Sequence, residues 1–185
     1  MIQTSNPTVM PVTLQEAKAW LKVDDTNSDA EIAGLIQSAT LRAEAYCNRP
    51  FIQREYTEYF DRFPTVIEPC VVTFQSLTSI SYVDGDGNSQ SFTDTQVDGG
   101  YKFTKTRIKP AYGYSWPSTR DQYKAVTVVY QAGYGDDWND VPSNVRLAIL
   151  YLVSHYFTNR QIAGENSELP ETVKALLADE VVHPL

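Results

Sequence analysis

The sequence has few of the residues that build metal and redox sites. Only two cysteines, Cys47 and Cys70, and two histidines, His155 and His183, occur in 185 residues. The cysteines are not in a CxxC spacing, and a zinc site needs several such ligands close together. The sequence therefore argues against a zinc site, and the apolar neighbours of both cysteines lead us to expect reduced, buried thiols, with a disulfide as the alternative.

Membrane and nucleotide-binding signals are also missing. The first residues, MIQTSNPTVMP, have no basic region before an apolar run, and no window reaches the length of a transmembrane helix. We therefore expect cytoplasmic synthesis and no membrane partner. The nucleotide-binding patterns GxxxxGKS/T and GxGxxG do not occur, which excludes the common phosphate-binding loops.

Positive charge is scarce, because 15 Lys and Arg stand against 23 Asp and Glu, a net charge of −8. Such a chain repels a phosphate backbone unless its basic residues gather on one surface. A patch of basic residues on predicted strands is one interpretation, and a solvated sheet face is the other. These residues are Arg54, Arg62, Lys102, Lys105, Arg107 and Lys109.

No catalytic constellation emerges. His155 lies within an apolar helical pattern, which favours a packed or hydrogen-bonded structural role, and Ser115 lacks the second glycine of a nucleophile elbow. Carboxylates such as Asp136, Asp137 and Asp140 precede a predicted helix. Negative groups are favourable near the positive end of the helix dipole, so a structural role is enough to explain them. A hydrolase with clustered carboxylates stays open as an alternative, but we predict no enzyme and no cofactor.

The segment DGDGN, residues 84–88, has oxygen-bearing side chains at alternate positions, as the first half of a calcium loop does. Ser89 stands where that loop needs glycine, and Thr95 where it needs a bidentate glutamate. A tight turn between two strands is the other interpretation, and DG and GN pairs are typical of it.

A long helix is predicted over residues 141–161, VPSNVRLAILYLVSHYFTNRQ. Pro142 suits the first helical position, and Ser143 or Asp140 could cap the helix. Its apolar residues cover most of the circumference, so the helix must be covered on several sides by its own domain, by a neighbouring subunit, or by both.

Three shorter helices are predicted. The first begins at Thr13 with Glu16 completing a capping box, and Ser28 with Glu31 repeats that pattern before a second helix that ends near Pro50. In the second helix Ile32, Leu35, Ile36, Ala39, Ala43 and Tyr46 recur at helical spacing. A last amphipathic helix follows Pro170.

Residues 51–134 change to a period of two, which predicts five or six strands. Candidate strands are FIQREYTEYF, CVVTF, SISYV, SQSF, GYKFTKTRI and AVTVVYQAG. The block is rich in tyrosine. Cross-strand packing is the ordinary reason, and a glycan- or polymer-binding surface around Tyr101, Tyr112, Tyr114 and Trp116 is the alternative.

Together these patterns predict an α+β fold, a helical bundle with a β-rich insertion. We expect one domain over residues 1–185, with helical parts at 13–50 and 141–182, the insertion at 51–135, and a flexible N-terminal arm at 1–12.

The order of the motifs resembles that of a known family. Residues 14–23, LQEAKAWLKV, are followed by the helical run of residues 29–49, by YQAGYG at 130–135, and by VPSNVRLAILYLVSHYFTNR at 141–160. This arrangement resembles the head-tail connector (adaptor) proteins of long-tailed bacteriophages, whose relatives also occur in gene transfer agents. The segment 56–124 carries the least of the resemblance.

The resemblance implies a virion structural protein made in the cytoplasm of the bacterial host. It would assemble as a ring, usually a dodecamer, under the portal protein, prolong the DNA channel without specific DNA binding, and offer a platform to a tail-completion or stopper protein. In related adaptors the C-terminal segment engages the portal. That implies Leu169, Val173, Leu176 and Leu177 as candidate portal contacts.

Overall fold

The computed structural model describes residues 2–3, 7, 9–98, 106–159 and 168–182. Over these residues the predicted α+β class is confirmed, with four helices, a five-stranded antiparallel sheet and a separate hairpin. The elements are, in chain order, β1 (Ile2–Gln3), α1 (Leu14–Leu21), α2 (Asp29–Cys47), β2 (Arg54–Phe60), β3 (Phe74–Val83), β4 (Ser89–Ser91), β5 (Thr95–Asp98), β6 (Arg107–Pro110), β7 (Val126–Ala132), α3 (Ser143–Thr158) and α4 (Glu171–Leu177).

The chain divides into two units. Met1–Pro7 and Gln53–Tyr134 form the sheet unit, and Thr8–Ile52 and Gly135–Leu185 form the helical unit. The chain thus leaves the helical unit after α2 and returns to it just before α3. The single-domain organisation stays a prediction.

The sheet unit is built on β7. The strand order is β1-β2-β7-β3-β4, and β7 pairs along its whole length with β2, in a register that places Tyr56 opposite Tyr130. Burial along β7 alternates strictly, so Val126, Val128 and Tyr130 face the core of this unit. This is the period-two pattern expected of a strand with one face covered.

The helical unit begins with a confirmed cap. Thr13 Oγ1 accepts the Glu16 N–H at 3.2 Å, while the Glu16 carboxylate bonds to α3 instead of closing the box. The second predicted capping box is wrong, because Ser28 caps α2 without a side-chain hydrogen bond. The helix ends where Asn48 enters the left-handed region at φ 53°.

The long helix α3 is shorter than predicted. It begins after Pro142, whose ψ of 142° is extended, and ends at Thr158. The predicted cap by Asp140 is also wrong, since Asp140 accepts the Asp137 N–H within the capping box of a short 3-10 helix, Trp138–Asp140. No helix in the described part of the chain is long and apolar enough to cross a bilayer.

Candidate assembly surfaces

The predicted portal-contact residues lie mostly inside the helical unit. Leu169, Val173 and Leu177 are buried where α4 packs on α3, and only Leu176 is half-buried. The Asn144 side-chain amide on α3 donates to the Leu176 carbonyl at 3.1 Å, which fixes the helix in place. A portal contact by these four side chains stays a prediction, and in this arrangement Leu176 is the most accessible of them.

A buried ion pair ties the end of the described chain to α2. Arg49 Nη1 lies 2.6 Å from Glu180 Oε2, and both side chains are 4 % exposed. The Val182 N–H donates to the Cys47 carbonyl at 2.9 Å beside it. Charges so deeply buried are tolerated only when they are paired, so this pair holds the C-terminal segment against α2.

The two cysteines differ in environment, although neither is disulfide-bonded. Burial raises the pKa of the Cys47 thiol to about 12; Glu180 and Glu44 add to the rise and Arg49 opposes it. Cys70 is exposed, so the expectation that both thiols are buried is wrong for Cys70.

A second polar contact joins α1 to α3. Arg146 Nη2 donates to Glu16 Oε1 at 2.7 Å, and its guanidinium carbon lies 4.3 Å from the centre of the Trp138 ring. Sequence reasoning assigned Glu16 to a cap because its spacing fits one. Only the packing of α1 on α3 shows that its carboxylate is used elsewhere.

Two patches of the helical unit leave large apolar side chains uncovered. Leu41 on α2 is 56 % exposed. Trp20 and Tyr151, from α1 and α3, are 40 % and 39 % exposed and meet edge to face with ring centroids 5.5 Å apart. Sequence reasoning missed Leu41, although it lies on the polar side of the α2 pattern and could have been noticed there.

The tyrosine-rich surface predicted in the sheet unit is only partly present. Tyr112 and Tyr114 are exposed, but Trp116 stacks on Phe63 at 4.6 Å and packs against the core. Tyr101 lies outside the described residues. The structure therefore assigns Trp116 to packing and leaves two exposed tyrosines of the proposed glycan surface.

The basic residues are not gathered as a patch would require. Arg54 is buried in β2, where Nη1 donates to Gln3 Oε1 at 3.5 Å, and Arg107 pairs with Glu68 at 3.4 Å. Of the remaining members, Arg62 and Lys109 are exposed, and Lys102 and Lys105 lie outside the described residues. The structure thus removes Arg54 from any exposed basic surface.

The DGDGN segment forms the turn between β3 and β4. Asp84 Oδ1 accepts the N–H groups of Asp86 and Asn88 at 3.1 and 2.9 Å, and Oδ2 accepts from the Gln90 amide at 3.0 Å. The Gln90 hydrogen bond, followed by that from the Asn88 backbone, lowers the pKa of Asp84. Its carboxylate oxygens serve the turn, and no cluster of three metal-binding side chains occurs among the described residues.

One of the candidate catalytic groups has a structural partner in the described residues. His155 is exposed and its Nδ1 lies 3.2 Å from the Asn159 amide. Ser115 is exposed, and His183 lies outside the described residues.

The most buried carboxylate of the sheet unit was not singled out from the sequence. Glu58 is 4 % exposed; its Oε1 accepts the Tyr130 hydroxyl at 2.5 Å and the Cys70 N–H at 2.8 Å. Burial, and then this hydrogen bond, raise the pKa of Tyr130. Glu58 therefore fixes the residues that follow β2 against the sheet.

Comparison with known proteins gives one family and one fold. The sequence model of a family described as head completion protein matches residues 12–177. No curated protein sequence matches.

Solved structures with the same fold come from gene transfer agent particles. The neck of an empty particle computed with C6 symmetry and the virion of a native particle each contain a chain with TM-score 0.78 and 17% identity, covering 100% of this chain and 96% of theirs. The neck of a native particle computed with C12 symmetry contains one with TM-score 0.70 and 17% identity, covering 100% of this chain and 97% of that one.

Proposed function

Because this chain belongs to the head completion protein family, we propose that it is a neck component of a phage-like particle. In this proposal it assembles as a ring under the portal, prolongs the DNA channel, and offers a platform to a tail-completion or stopper protein. The family match over residues 12–177 is the observation that carries the proposal.

Head completion proteins are structural proteins of the virion, and membership in the family confirms that the chain is not an enzyme. The fold likeness to chains in the necks of gene transfer agent particles supports the location proposed here. One of those necks was computed with C12 symmetry, which is consistent with a dodecamer.

The charge distribution fits a channel component. The helical unit contains 14 Asp and Glu against 7 Lys and Arg, whereas the sheet unit contains 9 against 8. Nearly all of the net negative charge is therefore on the helical unit. A negative wall repels the phosphate backbone and lets DNA pass without being held.

The C-terminal segment is the proposed portal contact. In the chain alone Leu169, Val173 and Leu177 are buried in the core of the helical unit. A partner that binds without unfolding α4 therefore contacts the outer side of this helix, where Leu176 lies. Leu176→Glu is expected to weaken portal binding while the thermal midpoint changes little. Ala175→Glu, at an exposed neighbouring position, is the matched control for added charge. Unchanged portal binding by Leu176→Glu would show that this placement is wrong.

The test of the ring is direct. The protein is mixed with portal particles from its own genome neighbourhood, and mass measurement and electron-microscope imaging are compared with the protein alone. A ring on the portal is expected. No binding at any salt concentration would overturn the proposal, and a glycan screen of the surface near Tyr112 and Tyr114 would then be the next experiment. A monomer in solution is compatible with the proposal, since the portal can nucleate the ring.

A further inference from the structure

Two outer faces of the helical unit expose large apolar side chains. On α2, Leu41 lies in a row of small or uncharged exposed residues. The row consists of Ala30, Gly34, Gln37, Ser38, Leu41 and Ala45. On the other face the Trp20 and Tyr151 rings lie against each other.

These faces belong to different helices. The two long helices pack against one another, and each has a buried side, which includes Ile36 on α2 and Ile149 on α3. Leu41 is five residues beyond Ile36 and Tyr151 is two beyond Ile149, which at about 100° per residue turns each side chain away from these buried positions. Leu41 and Tyr151 therefore belong to two different outer faces of the helical unit.

The helical unit contains twice as many acidic as basic residues, 14 against 7, so copies repel one another over much of its surface. The row on α2 named above contains no charged side chain. Faces without charge are where two copies can meet without that cost. Aromatic side chains such as Trp20 and Tyr151 are also enriched at the centres of protein interfaces.

We propose that the outer face of α2 in one copy receives Trp20 and Tyr151 of the next copy. This inference rests on the proposed ring and names its subunit contact. A head-to-tail interface joins two different faces of the subunit, and repetition of such a contact closes a ring when the rotation between copies allows it. A Cβ placed on Gly34 would meet nothing within 4 Å, so the α2 face is open to a bulky ring.

Paired cysteines test the contact. In a Cys70→Ser background, which leaves only the buried Cys47 thiol, Leu41→Cys and Trp20→Cys are combined in one chain. Rings formed on portal particles are treated with a short bismaleimide and run on a denaturing gel. The double variant is expected to give a ladder of covalent multimers. Each single variant should give none, and a mixture of the two should stop at dimers.

The outcomes separate this contact from the ring itself. Rings seen by electron microscopy without a ladder would overturn the contact and leave the proposed function intact. Failure of the parent chain to form rings would overturn the proposed function, and this contact with it.

A charge substitution gives a second test. Leu41→Glu is expected to lower ring yield at least tenfold with an unchanged thermal midpoint, since Leu41 is exposed in the single chain. Tyr112→Glu, an exposed site in the sheet unit, is the control and should assemble like the parent. Assembly of Leu41→Glu at the parent level would overturn the contact.

Discussion

The buried ion pair between Arg49 and Glu180 allows a sharp test of how the C-terminal segment is held. Glu180→Leu removes the carboxylate 2.6 Å from Arg49 Nη1 and leaves a guanidinium that is 4 % exposed beside an apolar side chain. Removal of one partner of a buried ion pair destabilises by about 3–5 kcal/mol. The free energy of unfolding of the helical unit should fall by that amount.

A double variant separates loss of the pair from loss of packing. Arg49→Met combined with Glu180→Leu replaces both charges with apolar groups, and such replacements are often neutral or stabilising. The double variant should therefore recover most of the stability that Glu180→Leu loses. Arg107→Met is the control, because its pair with Glu68 is 59 % and 38 % exposed and should contribute less than about 1 kcal/mol.

The assay is urea unfolding followed by circular dichroism at the helical signal, with linear extrapolation. The reasoning would be refuted if Glu180→Leu were within about 1 kcal/mol of the parent. It would equally be refuted if the double variant were as unstable as the single one, since packing rather than charge would then account for the loss.

Three further predictions concern thiols, the sheet core and backbone strain. A thiol reagent at pH 8 should modify only Cys70 in the folded chain, because Cys47 is buried. Burial raises the pKa of Cys47 from 9.0 to about 12, so the contribution of the Cys47 thiol to stability should be complete below pH 9 and lost as the pH rises towards 12. Modification of both thiols without unfolding would contradict this. Tyr130→Phe removes a hydrogen bond to buried Glu58 and should lower the free energy of unfolding, measured in urea, by about 1–3 kcal/mol. An unchanged free energy of unfolding would contradict this prediction. Thr73→Gly should stabilise by about 1 kcal/mol, because threonine at φ 73° is strained; a lower thermal midpoint would contradict it.

Periodicity predicted the elements whose burial follows their own sequence. Ile32, Ile36 and Ala39 on α2 are buried at helical spacing, and Val126 and Val128 alternate with half-buried residues on β7. In both elements one face is covered, so the pattern of apolar residues and the pattern of burial agree, except at Tyr46 of α2, which is 37 % exposed.

Elements defined by distant partners were not predictable in this way. The candidate strand CVVTF joins β3 only at its last residue, Phe74, because Thr73 has positive φ and interrupts the extended chain. Conversely, β5 has no apolar alternation and forms by pairing with β6. The Arg49–Glu180 pair joins residues 131 apart, a distance over which a single sequence carries no signal.

The candidate contact residues also show what the sequence could and could not predict. The last helix was predicted to be amphipathic, and on it Val173 and Leu177 are buried while Leu176 is half-buried. The pattern could not tell whether a partner or the chain's own α3 would cover them. Leu41, on the outer face of α2, was not singled out from the sequence. A single exposed leucine on the polar side of a helix is common and draws attention only when the charge around it is considered.

The coverage of α3 bears on how a ring of this chain would form. The sequence predicted that this helix needs cover from its own domain, a neighbour, or both, and packing of α1, α2 and α4 buries it except for residues such as Tyr151. Little apolar surface on α3 is left for a neighbour, so any contact there must draw on α1 and α2 as well. A contact built from a few exposed side chains is small, and small interfaces are weak between two copies. Ring closure or attachment to a portal adds further contacts to each copy at once, which raises the effective concentration of neighbours. We therefore expect monomers in solution and rings only where a platform gathers the copies.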